Sequence, residues 1–321
     1  MPRLLILLTL PADVIEQYRA RLSAKFSELA IDVADQQSKY AALIGSADIL
    51  LTFGQMMKNL KVDLKDAANL KWIQALGTGT DGIADQPTLK PSVIVTTLHG
   101  IHGPPVSEAA LAGMLALSRD IPRAVRSQDQ KAWVRWPAKL LDGKTVGILG
   151  IGAIAETLAP KCKALGMKVI GLSSATRPVA GFDRMHGRDE LLRIAPELDY
   201  LVLLTPYSAA THNLIDAKVF AAMKPTSYLI NLARGGIVDE DALVDALRAG
   251  RIAGAALDVF QQEPLPATHP LWSFKNVIIT THQGGFCDVY VDLALPIITH
   301  NMRCFLAGDL KSMVNVMSPA A

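Results

Sequence analysis

The stretch "TVGILGIGAIAETLA", residues 145–159, changes its repeat halfway through. "TVGIL" is a short apolar run, the pattern of a buried strand, and "AIAETLA" has small and apolar residues at helical spacing. Between them Gly150, Gly152 and Ala155 follow the order G-x-G-x-x-G/A. The first glycine permits a tight turn, and the second lets the backbone approach a pyrophosphate. The third position must be small so that helix packs on strand, which alanine satisfies. Free N–H groups and the dipole at the start of that helix favour an anion. A glycine pair alone also suits a plain structural turn. The strand–turn–helix setting, with a further strand at "KVIGLS" (168–173), selects the dinucleotide reading.

That further strand runs out into "SATR". In such units its tip normally carries an acid that grips the ribose hydroxyls. Ser173 stands there instead, 173 − 150 = 23 positions past the first glycine. Serine does not repel a phosphate, and Ser173 and Ser174 add donors. Arg177 can meet a 2′-phosphate with a charge-assisted fork. The expected cofactor is therefore NADP, with NAD bound without the acid as the alternative.

Working outward, apolar runs alternate with helical stretches along the whole chain. Before residue 100, "LLILL" (4–8), "ADILLTF" (47–53), "LKWIQAL" (70–76) and "SVIVTT" (92–97) read as strands, and "PADVIEQYRARLSAKF" as a helix with proline at its start. "PPVSEAALAGMLALSR" (104–119) is a helix apolar on most faces, to be buried between domains or subunits. A polar connector with Trp133 and Trp136 follows. A second strand–helix series then contains "KVIGLS", "YLVLLT", "YLINLA", "GAALDVF" and "NVIIT", with Asp239 capping one helix and Gly250 ending it. A last helix is expected over roughly 286–307. Strands alternating with helices imply parallel α/β sheets. The reading is two αβ domains, the second (101–285) inserted so that the chain end (286–321) returns to the first (1–100).

The bulk properties fit. The 321 residues suffice for two ordinary domains, and half are apolar, enough for large cores. A net charge of +2 gives no electrostatic case for nucleic acid or an anionic membrane. Cys162, Cys287 and Cys304 share no metal-ligand or redox spacing, which fits a reducing, cytoplasmic setting; no metal site is expected. The apolar run in "RLLILLTLP" is too short for a membrane span and lacks a cleavage site, so it reads as a first buried strand.

Three further stretches, "INLARGGIVDEDAL", "GAALDVFQQEPLP" and "VIITTHQGG", lie at or just past the C-terminal ends of expected strands, where open α/β sheets place ligands. They offer one arginine, one glutamate and one histidine. Reversible reduction of a 2-oxo acid needs those parts. A guanidinium clamps the carboxylate and polarises the carbonyl. An imidazole delivers a proton as hydride arrives, and a carboxylate beside it orients it and favours its charged form.

With "VGILGIGAIA", "LLTPYSAATHNLI", "LINLARGGIVDEDALVDAL", "GAALDVFQQEPLPATHPLW" and "VIITTHQGG" together, the chain resembles the D-isomer-specific 2-hydroxyacid dehydrogenase family over essentially its whole length. The resemblance implies a Rossmann dinucleotide-binding domain inserted in a flavodoxin-like substrate domain. It assigns Arg234 to the substrate, His282 as acid/base and Glu263 as its partner. It places cofactor contacts at Gly150, Gly152, Ala153, Ile154, Ser173, Ser174, Arg177, Thr205, Pro206 and Ala233. Asp258 is expected to face the nicotinamide carboxamide, and the amides of Thr78 and Gly79 to hold the substrate carboxylate. Where the family often shows arginine and glycine inside the glycine turn, Ala153 and Ala155 stand here. The implied activity is NAD(P)H-dependent reduction of a small 2-oxo acid, of glyoxylate or hydroxypyruvate type. The helix 104–119 and the tryptophan connector are expected to form a homodimer contact. Two other readings compete: a phosphite-type dehydrogenase on the same scaffold, which keeps the arginine, glutamate and histidine, and a non-catalytic dinucleotide sensor. His99, His102, His186, His212, His269 and His300 lack a comparable setting; His102, in "HGIHGPPVSE", reads as structural, with lining the cleft as the alternative.

Overall fold

The computed structural model describes residues 1–174 and 177–317. Contacts divide the chain into two compact units, Met1–Ile101 together with the stretch from Asp288 onward, and His102–Cys287.

The first unit runs β1 (Arg3–Leu7), α1 (Ala12–Lys25), β2 (Ala30–Ala34), α2 (Gln37–Leu43), β3 (Ile49–Thr52), α3 (Gly54–Asn59), β4 (Trp72–Ala75) and β5 (Ile94–Thr96). Its sheet is parallel throughout, in the order β2-β1-β3-β4-β5, the flavodoxin-like winding. α1 buries Ile15, Tyr18 and Leu22, one face at helical spacing. The C-terminal helix Tyr290–Leu306 belongs to this unit. Its Phe305 ring lies 5.4 Å from that of Trp72, and its Asn301 amide donates to the Gln74 side-chain oxygen at 3.2 Å. It begins at Tyr290 rather than near 286, because Phe286 and Cys287 still belong to the second unit, where the Phe286 N–H donates to the Gln283 carbonyl at 2.9 Å.

The second unit opens with α4 (Gly103–Arg119) and α5 (Ile121–Asp129). Then come β6 (Thr145–Leu149), α6 (Ala153–Ala164), β7 (Lys168–Ser173), β8 (Arg184–Gly187), α7 (Leu191–Ile194) and β9 (Tyr200–Leu203). The series ends with α8 (Ala217–Ala222), β10 (Tyr228–Asn231), α9 (Glu240–Arg248), β11 (Gly254–Leu257) and β12 (Val277–Ile279). The sheet order is β12-β11-β10-β9-β6-β7-β8, again parallel, which is the Rossmann winding with one strand added. Covered on both faces, its central strands are buried end to end, and this is why they read as unbroken apolar runs.

Two strands went unread in the sequence, and both lie at a sheet edge. β2 is only half-buried along most of its length, and its Asp32 pairs with Arg3 at 3.0 Å. β8, "RMHG", has no fully buried residue. An edge strand needs little apolar surface, so periodicity does not mark it. The connector also begins differently: its first three residues, 127–129, complete α5.

The glycine turn between β6 and α6 is set by sterics. Gly150 sits at φ +99°, and a Cβ there would lie 2.4 Å from the Thr205 backbone nitrogen. At Gly152, in contrast, a Cβ would meet nothing within 4 Å. Gly150→Ala is therefore expected to destabilise the protein by about 2–4 kcal/mol, from a forbidden φ plus a backbone clash. Gly152→Ala should leave the thermal midpoint unchanged and weaken only dinucleotide binding. Thermal melts and cofactor titrations of both variants test the contrast; equal midpoints would overturn it.

Candidate active site

The residues singled out in the second unit follow consecutive strands of one sheet. Gly150 and Gly152 follow β6, Ser173 ends β7, and Thr205 and Pro206 follow β9. Ala233 and Arg234 follow β10, Asp258 follows β11, and His282 follows β12. All sit at the C-terminal edge, where a parallel sheet gathers its loops. Thr78 and Gly79 belong to the first unit. They follow β4 in a turn whose Gly77 carbonyl accepts from the Leu98 N–H at 3.0 Å.

His282 and Glu263 are brought together: the imidazole Nδ1 lies 2.7 Å from the carboxylate Oε2. The histidine side chain is 37% exposed and the glutamate 15%, so one partner is open to a ligand while the other is held inside. The other glutamate oxygen, Oε1, accepts from the Phe260 N–H at 3.0 Å, which fixes the carboxylate against its own loop. Burial pushes the Glu263 carboxyl up. The hydrogen bond and charge of His282, the Phe260 N–H and the Arg234 charge outweigh it and hold the group below its ordinary 4.5. Glu263 is ionised at neutral pH.

The turn that carries His282 is strained and clasped. His282 adopts φ +54°, uncommon for a residue with a side chain. Asp258, 3% exposed, lies beneath it. Its carbonyl accepts from the His282 N–H at 2.8 Å. Its carboxylate accepts from the Gln283 N–H at 2.9 Å, the Gly284 N–H at 2.8 Å and the Thr280 hydroxyl at 2.5 Å. Within the chain, Asp258 thus serves the histidine turn, a role the motif did not disclose.

Arg234 starts a 3-10 turn, and its Nη1 donates to the Ala233 carbonyl at 2.7 Å. The next residue explains the motif's glycine. A Cβ on Gly235 would sit 1.8 Å from the Phe260 carbonyl carbon, so the arginine turn and the glutamate loop are in backbone contact. The Asn231 amide closes the turn by donating to the Arg234 carbonyl at 3.2 Å.

Fit to a dinucleotide rests on three observations. Gly152 leaves open space at the start of α6, where a side chain would block a pyrophosphate. Ala155 is buried, so the helix packs down on the sheet as the third small position requires. At the β7 tip Arg177 is exposed and paired with Glu156, in the first turn of α6, at 2.7 Å. Glu156 stands one turn into the phosphate-binding helix, 21 positions before Arg177, and nothing in the sequence marks the two as partners. Ala153 and Ile154 form the first turn of α6. Among the described residues, no group of His, Cys, Asp and Glu is arranged to hold a metal ion, and no helix is long and apolar enough to cross a membrane.

Comparison with known proteins agrees with this arrangement. Residues 111–284 match the family described as "D-isomer specific 2-hydroxyacid dehydrogenase, NAD binding domain". Glyoxylate reductase of Thermococcus litoralis is 34% identical over 262 residues, 78% of this chain and 79% of its own. D-3-phosphoglycerate dehydrogenase of Methanocaldococcus jannaschii is 30% identical over 311 residues, 96% of this chain but 59% of its own length. A solved structure of a D-isomer specific 2-hydroxyacid dehydrogenase family protein from Aeromonas salmonicida subsp. salmonicida A449 is 35% identical, with a TM-score of 0.87 and full coverage of both chains. The chain is an oxidoreductase with a nicotinamide-dinucleotide-binding Rossmann unit, and it belongs to the D-isomer specific 2-hydroxyacid dehydrogenase family.

Proposed function

We propose that this protein reduces a small 2-oxo acid, of glyoxylate or hydroxypyruvate type, to the D-2-hydroxy acid with NADPH. The observation that carries the acid–base part is the 2.7 Å contact between His282 and the ionised Glu263. When bound, the nicotinamide supplies or accepts the hydride. His282 donates a proton to the substrate carbonyl oxygen in reduction and removes it in oxidation. Glu263 fixes the imidazole through Nδ1, leaving Nε2 for the substrate. Arg234 pairs with the substrate carboxylate and polarises its carbonyl. Thr78 and Gly79 offer backbone N–H groups for the same carboxylate, and Thr205, Pro206, Ala233 and Asp258 line the cofactor's side. Gly150, Gly152, Ala153 and Ile154 cradle the pyrophosphate. Ser173, Ser174 and Arg177 receive the 2′-phosphate. A phosphite-type reaction would use the same three catalytic groups, and nothing particular to this site favours it.

A homodimer completes the reading. The expected contact is the helix 104–119, which exposes Leu115, and the connector, which exposes Trp133 at 95%; α5 between them adds exposed Ile121 and Val125. An apolar surface of this kind calls for a second copy. We place the protein in the cytoplasm, in keeping with three cysteines that share no metal-ligand or redox spacing.

Initial rates with a panel of 2-oxo acids and both cofactors test the assignment; no turnover with any of them would remove it. Arg234→Lys keeps the charge but loses the planar fork, and is expected to cost about 3–5 kcal/mol in kcat/KM. Near wild-type kcat/KM would take Arg234 out of the site.

Arg177→Ala should weaken NADPH by about 1.5 kcal/mol, the lower end for a hydrogen bond to a charged group, because the pair it leaves is exposed. NADH should be unaffected. Equal weakening of both cofactors in fluorescence titrations would mean that Arg177 does not read the 2′-phosphate.

The Glu263 carboxyl lies below its ordinary value, so what its contact with His282 contributes is fully present above pH 4.5. It is lost only as pH falls through the lower folded-state value. Glu263→Gln removes the charge beside the imidazole while keeping a hydrogen-bond acceptor, and kcat/KM for reduction at neutral pH should fall about ten- to a hundredfold. His282→Gln should nearly abolish turnover in both directions. Undiminished kcat/KM in Glu263→Gln would break the pairing.

A further inference from the structure

The Phe260–Gln261 peptide is the junction of the site, and a residue outside the assigned set holds it. The Phe260 N–H is taken by Glu263 Oε1 at 3.0 Å, and the adjacent Gln261 N–H by Glu240 Oε1 at 2.6 Å. The same peptide presses on the arginine turn, since a Cβ on Gly235 would also lie 2.2 Å from the Gln261 nitrogen. A shift here would move Glu263, two residues on, and Arg234 together. The Gln261 side chain adds a second tether, donating to the Val238 carbonyl at 2.8 Å.

Glu240 is free for this task because Asp239 caps α9, accepting from the Ala242 N–H at 3.0 Å. Its side chain is 12% exposed, and its other oxygen, Oε2, lies 3.5 Å from Nε2 of His269, itself 20% exposed. The Leu271 N–H donates to His269 Nδ1 at 3.3 Å, so the neutral ring carries its proton on Nε2, facing Glu240. Burial raises the Glu240 carboxyl; the Gln261 N–H and His269 oppose this, and Asp241 and Glu263 add to it. A carboxylate kept inside at that cost, with its reach directed at one loop amide, points to a purpose in the loop.

We propose that Glu240 is a positioning residue for the Glu263–His282 pair and the Arg234 turn, acting through the Gln261 N–H, with His269 as its counter-group. The proposal rests on the acid–base reading of Glu263 and His282 given above. A simple staple between α9 and the loop would contribute stability only; a positioning residue must also set the rate of proton transfer.

The test compares Glu240→Asp, Glu240→Gln and Glu263→Gln with the wild-type enzyme, using glyoxylate or hydroxypyruvate with NADPH. The readouts are kcat, KM, the solvent deuterium isotope effect on kcat, and the thermal midpoint. Glu240→Asp keeps the charge but withdraws the carboxylate by one methylene. Its kcat should fall about ten- to a hundredfold, the scale of a misplaced catalytic group, with KM within about twofold and a larger isotope effect. Glu240→Gln keeps the reach and should recover kcat to within about fivefold. Wild-type kcat and isotope effect in Glu240→Asp, with activity lost in Glu263→Gln, would overturn the proposal and leave the acid–base reading standing. Undiminished activity in Glu263→Gln would overturn both. If Glu240→Asp does not fold, Glu240→Gln decides, and a variant as slow as Glu263→Gln sinks the idea.

Discussion

Four hydrogen bonds converge on Asp258, three at its carboxylate and one at its carbonyl, and all come from the five residues that carry His282. The turn they bind is one the chain would not hold alone, because His282 occupies the left-handed region at φ +54°. Such a conformation costs on the order of 1 kcal/mol or more and persists only where its surroundings over-determine it. Asp258 supplies that over-determination from the end of the neighbouring strand. Its own place is set by β11, whose partners β10 and β12 are in parallel register on either side. The histidine is thus aimed by sheet geometry through one buried carboxylate, and its contact with Glu263 follows from that aim.

The two glutamates of this region illustrate how environment separates like groups. Glu263 and Glu240 bind neighbouring amides, yet their carboxyls move in opposite directions from the ordinary value. Burial raises both. At Glu263 the imidazole at 2.7 Å and the nearby guanidinium more than offset it; at Glu240 the histidine is at 3.5 Å and two other carboxylates lie near. The result is one group whose charge is secure at neutral pH and a second that is held inside chiefly for its reach. Divergent proton affinities among adjacent carboxylates mark a division of labour.

Much of this was legible in the sequence, for identifiable reasons. The central strands read clearly because both their faces are covered. The glycine turn read clearly because Gly150 answers a steric demand that Thr205 imposes. Arg234, Glu263 and His282 could be named because each follows a strand end in a motif that the chemistry explains. What stayed hidden depends on pairs distant in sequence. Glu240 carries no motif of its own, and His269, in "PATHPLW", lacks a setting like that of His282; only the fold brings them to 3.5 Å. Glu156 likewise gave no sign that it would reach Arg177, which sits 21 positions away. The edge strands β2 and β8 were lost because an edge makes weak demands on apolar pattern.

The Glu156–Arg177 pair bears on how the proposed choice of NADP would operate. Both side chains are well exposed, at 43% and 62%, so their attraction contributes at most about 1 kcal/mol. A 2′-phosphate receiving the same guanidinium gains about 1.5–3 kcal/mol from a charge-assisted bond. The phosphate wins that competition by a modest margin, and the acid pays part of the ordering cost in advance by holding the arginine beside the start of α6. NAD has no phosphate to offer and leaves the pair intact, so it is neither repelled nor rewarded. Specificity is a difference of affinities, and on this reading the difference lies in one exposed arginine with a weak internal competitor. Such an arrangement gives preference without exclusion.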